Sequence, residues 1–228
     1  MRLKTWLLLA GTLVSCTTPI SHPEQTFPTT EAPMTEIIKL PHPALEGPIS
    51  LEEAMQNRRS IRSFTDETLS EVEISQLLWA AQGLSDPRGY RTAPSAGALY
   101  PLELYVVMED GVYHYDVKQH ALELSLKGDL RREVYAAGLR QEALLEAPVT
   151  IVIAAVYERI AVKYGRDRGP RYVHMEVGHA AQNVLLQAVT LGLGSVPIGA
   201  FEDARLQSIL DLPPDHQPLY LIPVGHPR

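Results

Sequence analysis

The chain of 228 residues has one cysteine, Cys16. That excludes a disulfide framework and any metal site built on cysteine ligands. Positive charge is also scarce: 20 Lys and Arg stand against 27 Asp and Glu, a formal charge of −7 with a pI near 5.6. This balance argues against nucleic acid as a partner. Beyond the first residues no apolar run is long enough to cross a bilayer. Several familiar sites are missing as well. There is no Gly-x-x-x-x-Gly-Lys-Ser/Thr loop, and Ser95 lacks the Gly-x-Ser-x-Gly elbow of a hydrolase nucleophile. The run Gly192 to Gly199 follows a predicted helix, whereas a dinucleotide fingerprint follows a strand. His174, Glu176 and His179 cluster in sequence, but histidines five apart lie about 140° out of register on a helix. No metal site is expected there.

What is present begins at the N-terminus. Arg2 and Lys4 precede an apolar segment, Trp6 to Val14, that closes on Leu13-Val14-Ser15-Cys16. This resembles the bacterial lipoprotein signal, in which cleavage before the cysteine leaves it lipidated. The expectation is a signal peptide over 1–16, lipidation at Cys16, and a protein anchored in the bacterial cell envelope outside the cytoplasm. Residues 17–49 carry prolines at 19, 23, 28, 33, 41, 43 and 48 among Thr, Ser and Glu. Such a stretch buries too little apolar surface to offset its ordering entropy and reads as an extended tether. Residues 50–228 remain for one globular domain, large enough for a real core.

Within that domain, Ser50 with Glu53 and Ser70 with Glu73 match the capping box. The first opens a short helix ending near Asn57. The second opens a helix through Ile74, Leu77, Leu78 and Ala81 that closes at Gly83. Strands are expected at Leu104 to Met108, Val112 to Tyr115 and Leu122 to Leu126, with Glu109-Asp110-Gly111 as a hairpin turn. Val149 to Val156 is a continuous apolar run, typical of a strand buried on both faces. From about Arg171 to Leu191, Val173, Val177, Ala180, Val184, Ala188 and Leu191 form one apolar stripe, which predicts a long enclosed helix. A strand near Ser195 to Ile198, a helix near Ala204 to Leu210 and a strand from Leu219 to Val224 follow. The irregular mixing of helices and strands points to α+β.

Arg58, Arg59 and Arg62 put three guanidinium groups within five residues of an acidic chain, beside the Ser60 hydroxyl. Guanidinium forks grip a phosphate through paired hydrogen bonds, so a phosphorylated ligand is the first expectation. The alternative is a solvated basic helix end, where cations are also favoured. Pro94 to Gly97 and Pro197-Ile198-Gly199-Ala200 are small-residue loops that a planar ligand could approach closely, and Arg228 offers a further cation.

These pieces occur together with Ala98-Leu99-Tyr100-Pro101, Gln141 ahead of Ala147-Pro148-Val149, Lys163-Tyr164-Gly165, Glu176-Val177-Gly178-His179-Ala180-Ala181-Gln182-Asn183 and Pro223-Val224-Gly225-His226-Pro227. From about Leu51 to Arg228 the chain resembles the FMN-dependent nitroreductase family, in particular its SagB/ThcOx-type dehydrogenase branch, whose members oxidise azolines. The resemblance implies a mostly antiparallel central sheet surrounded by helices, with a long buried central helix. It implies FMN as cofactor, with Arg58, Arg59, Ser60 and Arg62 on the ribityl and phosphate, and Pro197, Ile198, Gly199 and Ala200 along the ring edge. Gln141 and Arg228 join that set. Pro94, Ser95, Ala96 and Gly97 would reach the flavin from the second subunit of a homodimer. Lys163 and Tyr164 match a pair proposed as catalytic in azoline-oxidising members. The implied activity is hydride transfer between a small-molecule or peptide-borne substrate and flavin N5. Reduction of nitro or quinone compounds is the alternative at the same flavin, and a non-catalytic flavin-binding lipoprotein the alternative outside catalysis.

Overall fold

The computed structural model describes residues 36–228, so the signal-like segment and Cys16 lie outside the described part. The elements are β1 (Ile37–Lys39), α1 (Leu51–Asn57), α2 (Glu71–Gln82), β2 (Leu102–Val107), β3 (Gly111–Asp116), β4 (Ala121–Lys127), α3 (Arg131–Ala137), α4 (Ala143–Glu146), β5 (Val149–Ala155), α5 (Tyr157–Thr190), β6 (Gly194–Ser195), α6 (Asp203–Ile209) and β7 (Gln217–Gly225). The strands form one sheet in the order β1-β4-β3-β2-β5-β7-β6, every neighbouring pair antiparallel.

The continuous apolar run of β5 explains its place near the middle of this sheet. All seven of its residues are buried, and alternation sends them to opposite faces. Ile151 and Ile153 join the cluster that contains Leu77 and Leu78 of α2 and Val177 and Val184 of α5. Val152 and Ala154 join the other, with Val134 of α3, Leu144 of α4 and Leu206 of α6. Each fully buried aliphatic side chain contributes about 1.5–3 kcal/mol relative to exposure. A layer of helices therefore covers each face, and the mostly antiparallel α+β sheet expected from the sequence is the one observed.

Local differences have local causes. The long helix begins at Tyr157, fourteen residues earlier than its apolar stripe, and breaks once at Gly165, whose φ of +76° and ψ of 164° are not helical. Gly165, Gly169 and Pro170 disguise its first half as a loop in sequence. The expected strand from Ser195 to Ile198 shrinks to Gly194–Ser195, because Pro197 has no N–H to give a ladder. Ile198 then returns as an isolated bridge to Leu221.

Part of the stretch read as tether is docked. β1 pairs with β4, Leu40 is buried, and Gln76 clamps Ala44 by accepting from its N–H at 2.8 Å and donating to its carbonyl at 3.1 Å. Three strand residues flanked by prolines, with a partner some eighty residues away, give no periodicity to read.

Candidate active site

Helix α1 ends where the Arg58 N–H closes on the Ala54 carbonyl at 3.0 Å. The chain leaves extended and is strapped to β6: Ile61 N–H donates to the Ser195 carbonyl at 3.1 Å, and Ser60 bridges Ser195. Gly194 permits this approach, since a Cβ there would lie 2.7 Å from Ile61 Cγ2. Phe64 buries its ring one step on, while the Glu146 carboxylate accepts from Phe64 N–H at 3.0 Å and Ser63 Oγ at 3.1 Å. Those two hydrogen bonds hold Glu146 below the ordinary carboxylate range. The chain end joins the same edge: Arg228 N–H donates to the Ser63 carbonyl at 3.2 Å.

None of Arg58, Arg59 and Arg62 pairs with a carboxylate among the described residues. Arg59 Nη1 donates to the carbonyls of Gln56 and Arg58 at 2.8 and 2.7 Å, and Arg62 Nη1 reaches Ser60 O at 3.4 Å. From β6 the chain continues into Pro197 to Ala200, whose Ile198 exchanges backbone hydrogen bonds with Leu221. Gln141 Nε2 donates to Ala200 O and Gly138 O, both at 2.9 Å. Arg58, Arg59, Ser60, Arg62, Gln141, Pro197 to Ala200 and Arg228 thus gather along the β6–β7 edge. Arg228 Nη1 lies 3.9 Å from the Glu146 carboxylate, while the unneutralised forks of Arg58, Arg59 and Arg62 beside a small-residue loop are a donor set that suits a phosphate-bearing planar ligand.

The remaining predicted residues form a second group. Ser95 opens a tight turn, accepting the Tyr100 N–H on Oγ at 2.9 Å and the Ala98 N–H on its carbonyl at 3.1 Å. Gly97, Ala98 and Tyr100 all have positive φ, +65°, +53° and +46°. Non-glycine residues held there store strain, which clusters at working sites. A Cβ on Gly97 would lie 2.9 Å from Lys163 Nζ and 3.1 Å from the Tyr164 hydroxyl. Lys163 and Tyr164 end the first segment of α5, just before the Gly165 break, and Tyr164 packs on Tyr172 with ring centroids 4.7 Å apart. Among the described residues no hydrogen bond or ion pair joins this group to the first.

Sequence reasoning set a metal aside at Glu176 in favour of packing or hydrogen bonding, counted the residue in the family motif without giving it a role, and passed over Arg91. Glu176 is buried behind Ser95, and neither carboxyl oxygen has a hydrogen-bond partner; Gln82 Nε2 is likewise orphaned. Burial pushes the Glu176 carboxyl up to about 7, against the pull of nearby Ser95, Arg91 and Gln82. A glutamate set among apolar helix positions was the available signal. His174 instead meets the Tyr157 hydroxyl at 2.7 Å, and His179 is exposed. An apolar cleft of about 430 Å³ between residues 44–49, α1, α2 and α5 contains none of the predicted residues.

The model of the Nitroreductase family matches residues 55–226. A nitroreductase-like protein of Methanocaldococcus jannaschii is 44% identical over 198 residues, covering 84% of this chain and 98% of its own length. The microcin B17-processing protein McbC of Escherichia coli is 30% identical over 66% of this chain and 60% of its own. An NADPH-dependent FMN reductase of Bacillus subtilis is 27% identical over 77% and 65%. The crystal structure of a nitroreductase-like protein from Ralstonia eutropha superposes with a TM-score of 0.78 at 29% identity, over 84% of this chain and 90% of that one.

Proposed function

This chain belongs to the nitroreductase family, and from that premise we propose that it is a SagB-type dehydrogenase, an FMN-dependent oxidoreductase held in the bacterial envelope by a lipid on Cys16. When bound, FMN supplies the hydride chemistry at its N5, and the protein supplies placement and proton handling. Arg58, Arg59, Arg62 and Ser60 hold the phosphate end, with Arg228 adding charge. The backbone of Pro197 to Ala200, braced by Gln141, lines the ring edge. Lys163 Nζ and the Tyr164 hydroxyl, both against Gly97, are placed to hold or move a substrate proton. The resemblance to the family, with no hydrogen bond or ion pair joining the two groups among the described residues, supports a homodimer in which the 94–97 loop of one protomer serves the flavin of its partner.

The observation that carries this reading is the unneutralised guanidinium triplet strapped to β6. Similarity to McbC, a microcin B17-processing protein, supports a peptide-borne substrate. Similarity to the archaeal nitroreductase-like protein supports the second reading, reduction of nitro or quinone compounds.

The protein should purify yellow and release FMN on denaturation. Replacing Arg58, Arg59 and Arg62 by Gln should abolish flavin retention while the far-UV spectrum stays; full retention would overturn the assignment. Lys163→Ala and Tyr164→Phe should each cut turnover at least about a hundredfold, the scale of general acid–base help, with the flavin spectrum unchanged. Cys16→Ser should move the protein from the membrane to the soluble fraction, and unchanged fractionation would remove the anchor.

A further inference from the structure

We infer that Arg159 is the positioning residue for Lys163 and Tyr164: its guanidinium ties the first segment of α5 to the Tyr100 carbonyl, and Glu103 with His114 holds the fork in place. This rests on the reading that Lys163 and Tyr164 work at the flavin, while the clamp itself is drawn from the fold alone. Residues 157–164 end at the Gly165 break. Two turns of helix do not hold themselves in water, so their placement comes from what they touch. Past the break the chain doubles back along them. A Cβ on Gly169 would lie 3.1 Å from Ile160 Cγ2, and the Tyr157 hydroxyl meets His174 Nε2 at 2.7 Å. In an unbroken helix those two residues would stand about 25 Å apart along the axis. Lys163 and Tyr164 therefore sit at the tip of a helical hairpin.

The first arm of that hairpin meets the strained turn at two points. Lys163 Nζ and the Tyr164 hydroxyl crowd Gly97. One helical turn before Lys163, and so on the same face, Arg159 Nη1 donates to the Tyr100 carbonyl at 3.1 Å. Arg159 Nη2 is ion-paired with Glu103 Oε1. The second Glu103 oxygen lies 2.7 Å from His114 Nε2, and a carboxylate only accepts, so the ring donates. His114 is the cross-strand neighbour of Tyr105, with the two ring centroids 4.9 Å apart. The anchor is thus the β2–β3 pair of the central sheet. Burial pushes the Glu103 carboxyl up, but the hydrogen bond from His114 and the charge of Arg159 outweigh it and leave it below the ordinary range. Glu103 is then ionised at neutral pH and binds the fork with charge-assisted strength. A planar fork serves a carbonyl and a carboxylate at once from fixed directions, which an ammonium on a flexible stem does not. Tyr100 needs such a hold. Its φ of +46° is a conformation that persists only where the surroundings over-determine it. Arg159 takes its carbonyl, Ser95 Oγ takes its N–H, and the Val156 N–H takes the next carbonyl, Pro101, at 2.8 Å.

Two readouts on the full chain as purified test the clamp. The first is amide hydrogen exchange in segments 96–100 and 157–164. Arg159→Ala should speed exchange in both at least about fivefold, in line with the loss of a charge-assisted bond, and leave the α2 and β5 amides unchanged. Glu103→Ala should act alike, and the double variant should be no worse than either alone, because the two side chains form one unit. The second readout is stopped-flow oxidation of the dithionite-reduced flavoprotein by p-benzoquinone. Arg159→Ala should lower the limiting rate at least about tenfold with the quinone half-saturation within about twofold of wild type, as lost positioning rather than lost binding requires. Unchanged exchange in 96–100 overturns the inference. So do additive losses in the double variant, or an Arg159→Ala rate equal to wild type where Lys163→Ala is slow. If Arg159→Ala does not fold, Arg159→Lys decides: faster exchange in 96–100 at retained charge supports the clamp, and unchanged exchange overturns it. A colourless protein, or a Lys163→Ala rate equal to wild type, would sink the reading at the flavin, and the exchange result then judges the clamp by itself.

Discussion

Glu176 shows how a single side chain can work against stability. Its carboxyl stands at about 7 in the fold against an ordinary 4.5, so between those values the folded protein keeps a proton that the unfolded chain has released. Stability from this group is therefore full below pH 4.5, falls as pH rises towards 7, and stays low above. Each pH unit of difference is worth about 1.4 kcal/mol, which over the span from 4.5 to about 7 sets an upper bound of about 3.5 kcal/mol. Glu176→Gln should remove that loss. Urea unfolding at pH 8 should find the variant more stable than wild type by up to about 3.5 kcal/mol, with the two converging below about pH 4.5. A variant equal to or weaker than wild type at pH 8 would show that burial does not charge the fold for this carboxylate.

At the scale of elements, what could be read from the sequence was what local chemistry fixes. Ser70 caps α2 as its Ser-x-x-Glu pattern predicts: its Oγ accepts from the Glu73 N–H at 3.3 Å while Glu73 accepts from the Ser70 N–H at 2.7 Å. At α1 Ser50 accepts from Glu53 N–H at 3.1 Å. The unbroken apolar run of β5 and the stripe of α5 were likewise legible, because burial on both faces or on one leaves a period in the residues. The first half of α5 was not, since glycine at 165 and 169 and proline at 170 erase that period. Nor was β1, whose three residues owe their strand to β4. The site divides in the same way. The guanidinium triplet of Arg58 to Arg62 was legible by residue type alone, and the structure leaves it without a carboxylate partner among the described residues. The union of Gly97 with Lys163 and Tyr164, and the place of Glu176 behind Ser95, needed tertiary packing. Ser70→Ala removes a complete capping box and should cost about 1 kcal/mol, seen as a lower urea midpoint at unchanged slope. Flavin content should not change, because Ser70 caps the opposite end of α2 from Gln82, which accepts from Arg91 beside the Tyr100 ring. A loss of flavin in that variant would mean that α2 holds the site more directly than its contacts imply.

The whole molecule leaves an apolar surface where the proposed dimer requires one. Leu51 and Met55 lie one turn apart on α1 and are 57% and 56% exposed, with Val72 at 59% and Leu45 at 82% around the same cleft. Ala54, at i+3 from Leu51 and beside Met55, lies on the same face of α1 and is buried, so this apolar stripe runs from the core out to solvent. A seven-residue helix gains little by showing leucine and methionine to water, and contiguous apolar surface of this kind marks an interface. The guanidinium triplet begins at the residue after α1, which makes this face continuous with the segment proposed to hold the phosphate. Placing carboxylates there by Leu51→Glu with Met55→Glu would bury charge in an apolar contact, at several kcal/mol per unpaired ion. Sedimentation should find the wild type at twice the mass of one processed chain and the double variant at the mass of one. Flavin should be lost with the dimer, since each site then lacks the 94–97 turn of its partner. A wild type that sediments as a single chain with full flavin would require both groups of residues to meet within one protomer, by a closure of α5 about Gly165. A double variant that stays dimeric would move the interface to another face, and the exposed Val162 and Met175 of α5 would be the next residues to charge.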